Sequence, residues 1–134
     1  MPHLVILYTA NLERDSDMTE LCCALANTML AVKDENEKQV FPIGGVRVLA
    51  YPAAHFAVAN SSGDHAFVYL NLRMGRGRGD IARKNAGEAL TAATRAHFTP
   101  ILARRRVGVT LQIDEGPEVF DAKLGNLHPL FQQN

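Results

Sequence analysis

The sequence predicts an α+β fold, a tandem βαβ repeat that forms a four-stranded sheet with two helices on one face. Four short apolar runs and two segments with helical periodicity support this fold class. The order strand, helix, glycine, strand occurs twice, in pseudo-repeats at about residues 2–52 and 65–114. The 134 residues, 47% apolar and 21% charged, have the size and composition of a single domain, 1–134, with a C-terminal extension at 115–134.

The first repeat opens with the run HLVILYT at residues 3–9, whose apolar and β-branched side chains are typical of a strand. Asp17 and Glu20 have the Asp-x-x-Glu spacing of a capping box. Apolar residues follow at helical spacing as far as Val32. We therefore expect a helix that starts behind Asp17 and packs its apolar side on the sheet.

Charged residues and glycines lead to the second strand. Residues 33–39 mix both charge signs and carry no apolar pattern, which predicts a solvated loop. The glycine pair at 44–45 precedes an apolar run at 46–51, which predicts a strand with Arg47 close to its start. Residues 52–64 are mostly polar and turn-forming, so we expect a loop there, with at most one short element.

The second repeat follows the same plan. Residues 65–72 predict a strand, which the Gly-x-Gly-x-Gly sequence at 75–79 ends sharply. Asp80 is expected to cap an alanine-rich helix from about 81 to 103, whose small side chains let it lie close to the sheet. Residues 105–113 predict the fourth strand.

The crossover connections indicate an oligomer. A βαβ connection makes each pair of strands parallel and right-handed, so both helices cover one face of the sheet and the other face stays bare. Because an uncovered apolar face must be buried by partner chains, we expect a closed oligomer. The segment after residue 117 also looks too apolar to be a free tail, at Phe120, Leu124, Leu127, Leu130 and Phe131.

The charge balance argues against polyanionic partners, which bind through the electrostatic field of a strongly basic protein. With 14 basic and 14 acidic residues the formal net charge is zero, so there is no global attraction to a nucleic acid or an anionic membrane. No apolar run approaches the length of a membrane span, and the features of a secretory signal are missing. We expect a cytoplasmic protein with no nucleic-acid partner and no membrane partner.

The βαββαβ order is also that of the RNA-recognition motif, in which aromatic side chains of the sheet stack on bases. In register, the three aromatic positions hold His65, Phe67 and Leu70, so one of the three is aromatic. Together with the zero net charge, this argues against RNA binding.

Neither a nucleotide motif nor a metal motif is present. The glycine-rich turn at 75–79 matches neither the dinucleotide fingerprint nor the P-loop, although its place between a strand and a helix favours anion binding by Arg78 or Arg76. The five histidines show no pair with metal-ligand spacing; they are His3, His55, His65, His97 and His128. The sequence therefore predicts no metal site.

Pro2 is the candidate base, because it stands between the initiator methionine and the first strand. If Met1 is removed, the ring nitrogen of Pro2 changes from an amide into a secondary amine. An α-amino group titrates near ~8. Desolvation or nearby cations disfavour its charged form, which gives a proton acceptor near neutral pH. Arg47 and Arg78, each beside a glycine-marked turn, are candidates to hold a substrate.

Five segments carry a resemblance to a known family. They are Pro2-His3, Phe41-Pro42-Ile43-Gly44-Gly45-Val46-Arg47, the turn Gly75-x-Gly77-Arg78, Ala86-Gly87-Glu88, and Asn126-Leu127-His128-Pro129-Leu130-Phe131. In this order they make the chain similar, over nearly its whole length, to the 5-carboxymethyl-2-hydroxymuconate isomerases of the tautomerase superfamily.

The resemblance implies a tautomerase-like (MIF-like) homotrimer with active sites at subunit boundaries. It also implies a cofactor-free isomerase that acts on a small carboxylate substrate in bacterial breakdown of homoprotocatechuate. On the matching positions, Pro2 is implied to be the catalytic amine, with Arg47 and Arg78 as the functional arginines. Arg76 is a further substrate-binding candidate, and which of Arg76 and Arg78 faces the ligand stays open.

Two other functions are compatible with the same residues. One is a sibling tautomerase chemistry on another 2-oxo acid. The other, from a different class, is a trimeric binding or scaffold protein that kept the fold and lost the turnover.

Overall fold

The computed structural model describes residues 2–132, so the predicted loss of Met1 and the last two residues lie outside the described part of the chain. The strands and helices are β1 (His3–Thr9), α1 (Met18–Ala31), β2 (Arg47–Ala53), β3 (Ala66–Met74), α2 (Asp80–Leu102) and β4 (Val107–Glu115). Three short 3-10 turns cover Ala10–Leu12, Ile43–Gly45 and His128–Phe131.

The four strands form one mixed sheet in the order β2-β1-β3-β4. β1 runs parallel to β2, β3 runs parallel to β4, and the central pair β1 and β3 is antiparallel. Each parallel pair is joined through a helix, as parallel strands require. The predicted α+β fold with two βαβ units and a four-stranded sheet is confirmed.

The hydrophobic core lies between the sheet and the two helices. Alternate residues of β1 and β3 point to the helices and are fully buried, among them Leu4, Ile6, Leu70 and Leu72. The helices contribute one apolar side each, with Leu21, Leu25, Met29, Ala86, Leu90 and Phe98. Burying each large aliphatic side chain contributes about 1.5–3 kcal/mol to folding.

No helix among residues 2–132 is both long and apolar enough to cross a membrane.

The other face of the sheet is bare in the single chain, as predicted. Its apolar part spans β2, β1 and the start of β3, where Leu7, Leu49, Tyr51 and Phe67 are between 38% and 49% exposed. The part towards β4 is polar, with Gln112 and other hydrogen-bonding residues on the surface. One half of this face therefore has an apolar surface that is only partly covered within residues 2–132.

Helix α2 begins differently from the prediction. Its N-cap residue is Gly79, and Asp80, which was expected to be the cap, is the first residue of the helix. The Asp80 carboxylate pairs with the Arg83 guanidinium one turn later and makes no cap hydrogen bond. The predicted cap is therefore wrong, because a charged partner on the next turn competes for the carboxylate.

The strands of the second repeat start and end one or two residues later than the predicted ranges 65–72 and 105–113. β3 and β4 remain paired as far as Met74 and Glu115, and the Gly116 N–H donates to the Met74 carbonyl at 2.9 Å. β2 also continues through Pro52, although proline lacks a donor. Proline is tolerated there because β2 is an edge strand.

The segment after β4 is only partly packed. The turn His128–Phe131 docks on the turn Ile43–Gly45, but Val119, Phe120 and Leu124 stay almost fully exposed. Within residues 2–132 these three side chains are uncovered, so the expectation that this segment is not a free tail stays a prediction about the assembled protein.

The N-cap hydrogen bond of Asp17 at the start of α1 can be tested by mutation. Asp17 Oδ1 accepts a hydrogen bond of 3.0 Å from the Glu20 N–H, as the capping box predicts. We expect Asp17→Ala to lower the free energy of unfolding by about 1 kcal/mol in urea denaturation, because the N–H loses its acceptor. Asp17→Asn keeps an acceptor and should stay close to the parent protein. Equal losses in both variants would show that the negative charge matters rather than the cap.

Candidate functional site

The pairing of β1 brings the predicted site residues to one end of the sheet. His3 lies opposite Arg47 of β2 on one side and opposite Arg73 of β3 on the other. The start of β1 therefore meets the start of β2 and the end of β3, where the glycine-rich turn follows. Pro2, one residue before β1, is buried at this end.

Arg47 is held against the 3-10 turn that precedes β2. Its Nη1 donates to the Gly44 carbonyl at 2.7 Å and to the Val46 carbonyl at 3.1 Å. Residues in register on neighbouring strands share a face, so Arg47 belongs to the bare face of the sheet together with the exposed His3. The guanidinium is thus fixed at the border between this end of the sheet and the uncovered face.

Arg78 lies against the core at the same end. Its Cζ atom is 5.1 Å from the centre of the fully buried Phe41 ring, and its Nη1 donates to the Gly75 carbonyl at 3.2 Å. Burial lowers the pKa of the Arg78 guanidinium, and the Glu115 carboxylate raises it. The group stays protonated at any ordinary pH. Because it is partly desolvated, it attracts an anion more strongly than a cation in open water does.

Arg76 is placed differently on the same turn. Its side chain is exposed, whereas that of Arg78 is half-buried against Phe41. Within one chain, Arg78 is therefore the arginine that is held in place and partly shielded from water. The Arg76 side chain is a solvated charge on the outside of the same turn.

Arg83 anchors the glycine-rich turn from behind. Its Nη1 donates to the Arg78 carbonyl at 2.6 Å and to Glu115 Oε1 at 2.7 Å. Gly77, in the middle of the turn, has a φ of 106°, a conformation that favours glycine. The turn thus needs glycine at its centre and is held by a charged side chain at its helical end.

His128 packs against the turn that precedes β2. Its ring and backbone lie so close to Gly44 that a Cβ atom on that glycine would be 2.7 Å from His128 Nδ1 and 2.8 Å from His128 Cα. Within residues 2–132, no hydrogen-bond partner reaches the buried Nδ1. The C-terminal turn is therefore packed directly on the turn that holds Arg47.

The sequence did not single out four of these contributors. Phe41 and His128 lie in segments that carry the family resemblance, but nothing local links either residue to an arginine. Arg83 had a signal, since it follows Asp80 by one helical turn. Glu115 had none, because the residue that it pairs with lies 32 positions earlier in the chain.

A cavity of about 740 Å³ lies at the opposite end of the sheet, beside Tyr8, Glu13 and Cys22. Burial and the hydrogen bond to Glu13 raise the pKa of Tyr8 to about 12, and burial raises the pKa of the Cys22 thiol. Neither group is activated as a base or a nucleophile near neutral pH. The candidate site is the Pro2 end of the sheet, because Arg47 and Arg78 are held there.

The described residues offer no metal site. Between residues 2 and 132, no group of three or more histidine, cysteine, aspartate or glutamate side chains is arranged to hold an ion. The Pro2 end of the sheet instead combines the buried Pro2 with two guanidinium groups, those of Arg47 and Arg78, which main-chain carbonyls hold in place. Such an arrangement can bind a small molecule that carries more than one carboxylate.

A family profile and a similar known protein both point to one family. The profile of the 5-carboxymethyl-2-hydroxymuconate isomerase family matches residues 2–131. The 5-carboxymethyl-2-hydroxymuconate Delta-isomerase of Escherichia coli is 26% identical over 132 residues, covering 98% of this chain and 100% of the relative.

Solved structures give the same result. A 5-carboxymethyl-2-hydroxymuconate delta-isomerase superposes with a TM-score of 0.95 at 56% identity, covering 100% of this chain and 95% of that one. A 5-carboxymethyl-2-hydroxymuconate isomerase from Deinococcus radiodurans R1 has a TM-score of 0.86 at 34% identity, with 98% and 95% coverage. At the level of the fold alone, a fused 4-OT described as a symmetric trimer has a TM-score of 0.52 at 18% identity, with 90% and 93% coverage.

Gly44 gives a test of the packing around Arg47. We expect Gly44→Ala to lower the free energy of unfolding by about 1–3 kcal/mol, because the added methyl group overlaps the His128 backbone. Gly87→Ala is the matched control, since a Cβ there would be 3.5 Å from Ile113 Cδ1, an ordinary contact. In the interior of α2 this change should raise stability by about 0.5–1 kcal/mol. A Gly44→Ala protein as stable as the parent in urea would contradict the docking of the C-terminal turn.

Proposed function

The chain belongs to the 5-carboxymethyl-2-hydroxymuconate isomerase family, and from this premise we propose that it shifts a double bond in 5-carboxymethyl-2-hydroxymuconate or a similar unsaturated 2-hydroxy or 2-oxo polycarboxylate. The reaction needs no cofactor, and we place it in the breakdown of aromatic compounds, in homoprotocatechuate degradation. The observation that carries the proposal is the buried Pro2 at the sheet end where Arg47 and Arg78 are fixed.

Pro2 is the general acid and base in this proposal. Removal of Met1 frees the ring nitrogen as a secondary amine, and an amine accepts a proton where an amide does not. The burial of Pro2 disfavours the protonated form, and nearby guanidinium groups act in the same direction. Both effects lower the pKa of the amine towards neutral pH, where a base works most effectively.

One base is sufficient for the isomerisation. The Pro2 amine removes a proton from the 2-hydroxyl group or from a carbon of the substrate, which leaves a dienolate anion. The protonated amine then returns the proton to a different carbon, so the double bond moves and no atom is gained or lost. The dienolate carries the charge that a nearby cation stabilises.

The two arginines bind and polarise the substrate in this proposal. A guanidinium presents parallel N–H donors that match the two oxygens of a carboxylate. Arg78, against the Phe41 ring, supports the anion in a partly dry position. Arg76, exposed on the same turn, is proposed as a weaker contact at the rim.

We also propose a cytoplasmic homotrimer with its sites at the subunit boundaries. The uncovered apolar half of the sheet supports this, because Leu49 and Tyr51 would otherwise remain in water. Arg47 belongs to that same face, so a partner chain that covers the face also comes close to Arg47. The exposed C-terminal residues Val119 and Phe120 offer further surface for a neighbour.

The role of Pro2 and the arginines is tested by ultraviolet isomerisation assays after intact mass has verified the loss of Met1. An extra residue left on Pro2 keeps its nitrogen an amide, and should lower kcat/KM by about 10²–10⁴-fold, as expected for the loss of a general acid-base group. Arg47→Ala and Arg78→Ala should each lower kcat/KM by about 10²-fold or more. Arg95→Ala, an exposed arginine on α2, is the control and should leave the rate unchanged.

The same assays separate the alternatives. Full activity of the blocked form would contradict the proline mechanism. A processed chain that turns over another unsaturated 2-oxo acid, and not the muconate, would be a sibling tautomerase. A processed chain with no turnover across a panel of 2-hydroxy and 2-oxo di- and tricarboxylates would leave the scaffold function.

The trimer is tested with two matched surface residues. Leu49 on the bare face and Ile81 on α2 are 44% and 48% exposed in one chain. We expect the parent protein to sediment with three times the mass of one chain, and Leu49→Asp to shift it towards the monomer because a charge would be buried in the interface. Ile81→Asp should remain trimeric. A parent protein that sediments as a monomer would contradict the assembly and the boundary sites with it.

A further inference from the structure

Arg83 joins three parts of the fold through one guanidinium group. It stands in the first turn of α2, pairs with Asp80 on its own helix, and reaches the last residue of β4 at Glu115 Oε1. It also donates to the main-chain carbonyl of Arg78 in the glycine-rich turn, at 2.6 Å. The side chain is 37% exposed, so it is a partly enclosed link and not a free surface charge.

The turn that carries Arg78 needs such a link. Gly75, Gly77 and Gly79 give this segment many accessible conformations in the unfolded chain, so fixing the turn costs more conformational entropy than fixing one without glycine. The hydrogen bond from Arg78 Nη1 to the Gly75 carbonyl stays inside the turn, so it cannot fix the turn relative to the sheet. The stacking on Phe41 and the bond from Arg83 reach outside it.

Glu115 is a carboxylate that both Arg83 and Arg78 can attract. Its carboxylate is near enough to Arg78 to raise the pKa of that guanidinium against the effect of burial. Arg83 engages the same carboxylate at 2.7 Å. Without Arg83, Glu115 would be left with Arg78 as a nearby cation, and the pair would withdraw Arg78 from an incoming anion.

We propose that Arg83 is a positioning residue, which holds the Arg78 carbonyl and occupies Glu115 so that the Arg78 guanidinium stays available for a substrate carboxylate. The proposal rests on the proposed function, in which Arg78 binds the substrate. A displacement of about 1 Å in such a group lowers a rate by about 10²-fold. Arg83 therefore acts on the reaction through Arg78 and does not touch the reacting atoms.

A double-mutant cycle tests the link. Arg83→Gln should lower kcat/KM by about 10–100-fold in the parent protein. In an Arg78→Ala background it should cause no further loss, because the group that it positions is already gone. Lys84→Gln, which removes an exposed cation from the next position of α2, is the control and should have no effect. Losses that add up in the double variant, or an Arg83→Gln protein with full activity, would overturn the proposal.

Two further variants define how Arg83 acts. Glu115→Gln on top of Arg83→Gln removes the carboxylate that competes for Arg78, and should recover part of the lost kcat/KM. An absence of any recovery would overturn the part assigned to Glu115. Arg83→Lys keeps a cation beside Glu115 but loses the guanidinium geometry, so its activity should fall between those of the parent and of Arg83→Gln. It serves as the test protein if Arg83→Gln does not fold.

Hydrogen exchange of the amides in residues 75–79 gives a readout that does not depend on turnover. Arg83→Gln should speed exchange in this turn, and Lys84→Gln should not. If Arg83→Gln speeds exchange but the parent protein turns over none of the substrates, Arg83 anchors the turn and the proposed function is contradicted. An active protein in which Arg83→Gln changes neither exchange nor kcat/KM would contradict the role of Arg83 alone.

Discussion

The hydrogen bonding of β1 to two neighbours of opposite direction is the constraint on which the site depends. Because β2 is parallel to β1 and β3 is antiparallel to it, the start of β1 meets the start of one neighbour and the end of the other. Two turns far apart in sequence, one with Arg47 and one with Arg78, thereby arrive at the same end of the sheet as Pro2. A slip of one residue in this register would move Arg47 to the other face of the sheet.

Only one face of the sheet is buried within the chain, and this links the strand register to the assembly of subunits. Both helices pack on the same face, so the core is complete on that side and the opposite face keeps an apolar half of β2, β1 and β3. Arg47 lies on that uncovered face, whereas Arg78 lies against Phe41 in the core. The two cations thus approach the end of the sheet from different sides, and the shape of a site between them depends on what covers the bare face.

Local placement of arginines, and not net charge, concentrates positive charge at the Pro2 end of the sheet. The chain has a formal net charge of zero, so no general field attracts a polyanion. Each arginine is fixed by main-chain carbonyls of its own turn, and the nearby carboxylate of Glu115 is engaged by Arg83. A chain that is neutral overall can therefore present cations at one place, since the Glu115 carboxylate near Arg78 is engaged by Arg83.

The sequence by itself determined the strands, the helices, their order and the cap of α1, because periodicity and capping act over a few residues. Pro2, Arg47 and Arg78 were named from the sequence too, and the fold brings all three to one end of the sheet. Only the tertiary structure decided how Arg78 stacks on Phe41, how Arg83 reaches Glu115 and why Gly44 must be small beside His128. These contacts join residues that lie 32 or more positions apart, and a one-dimensional pattern carries no distance between such residues until the strands have paired.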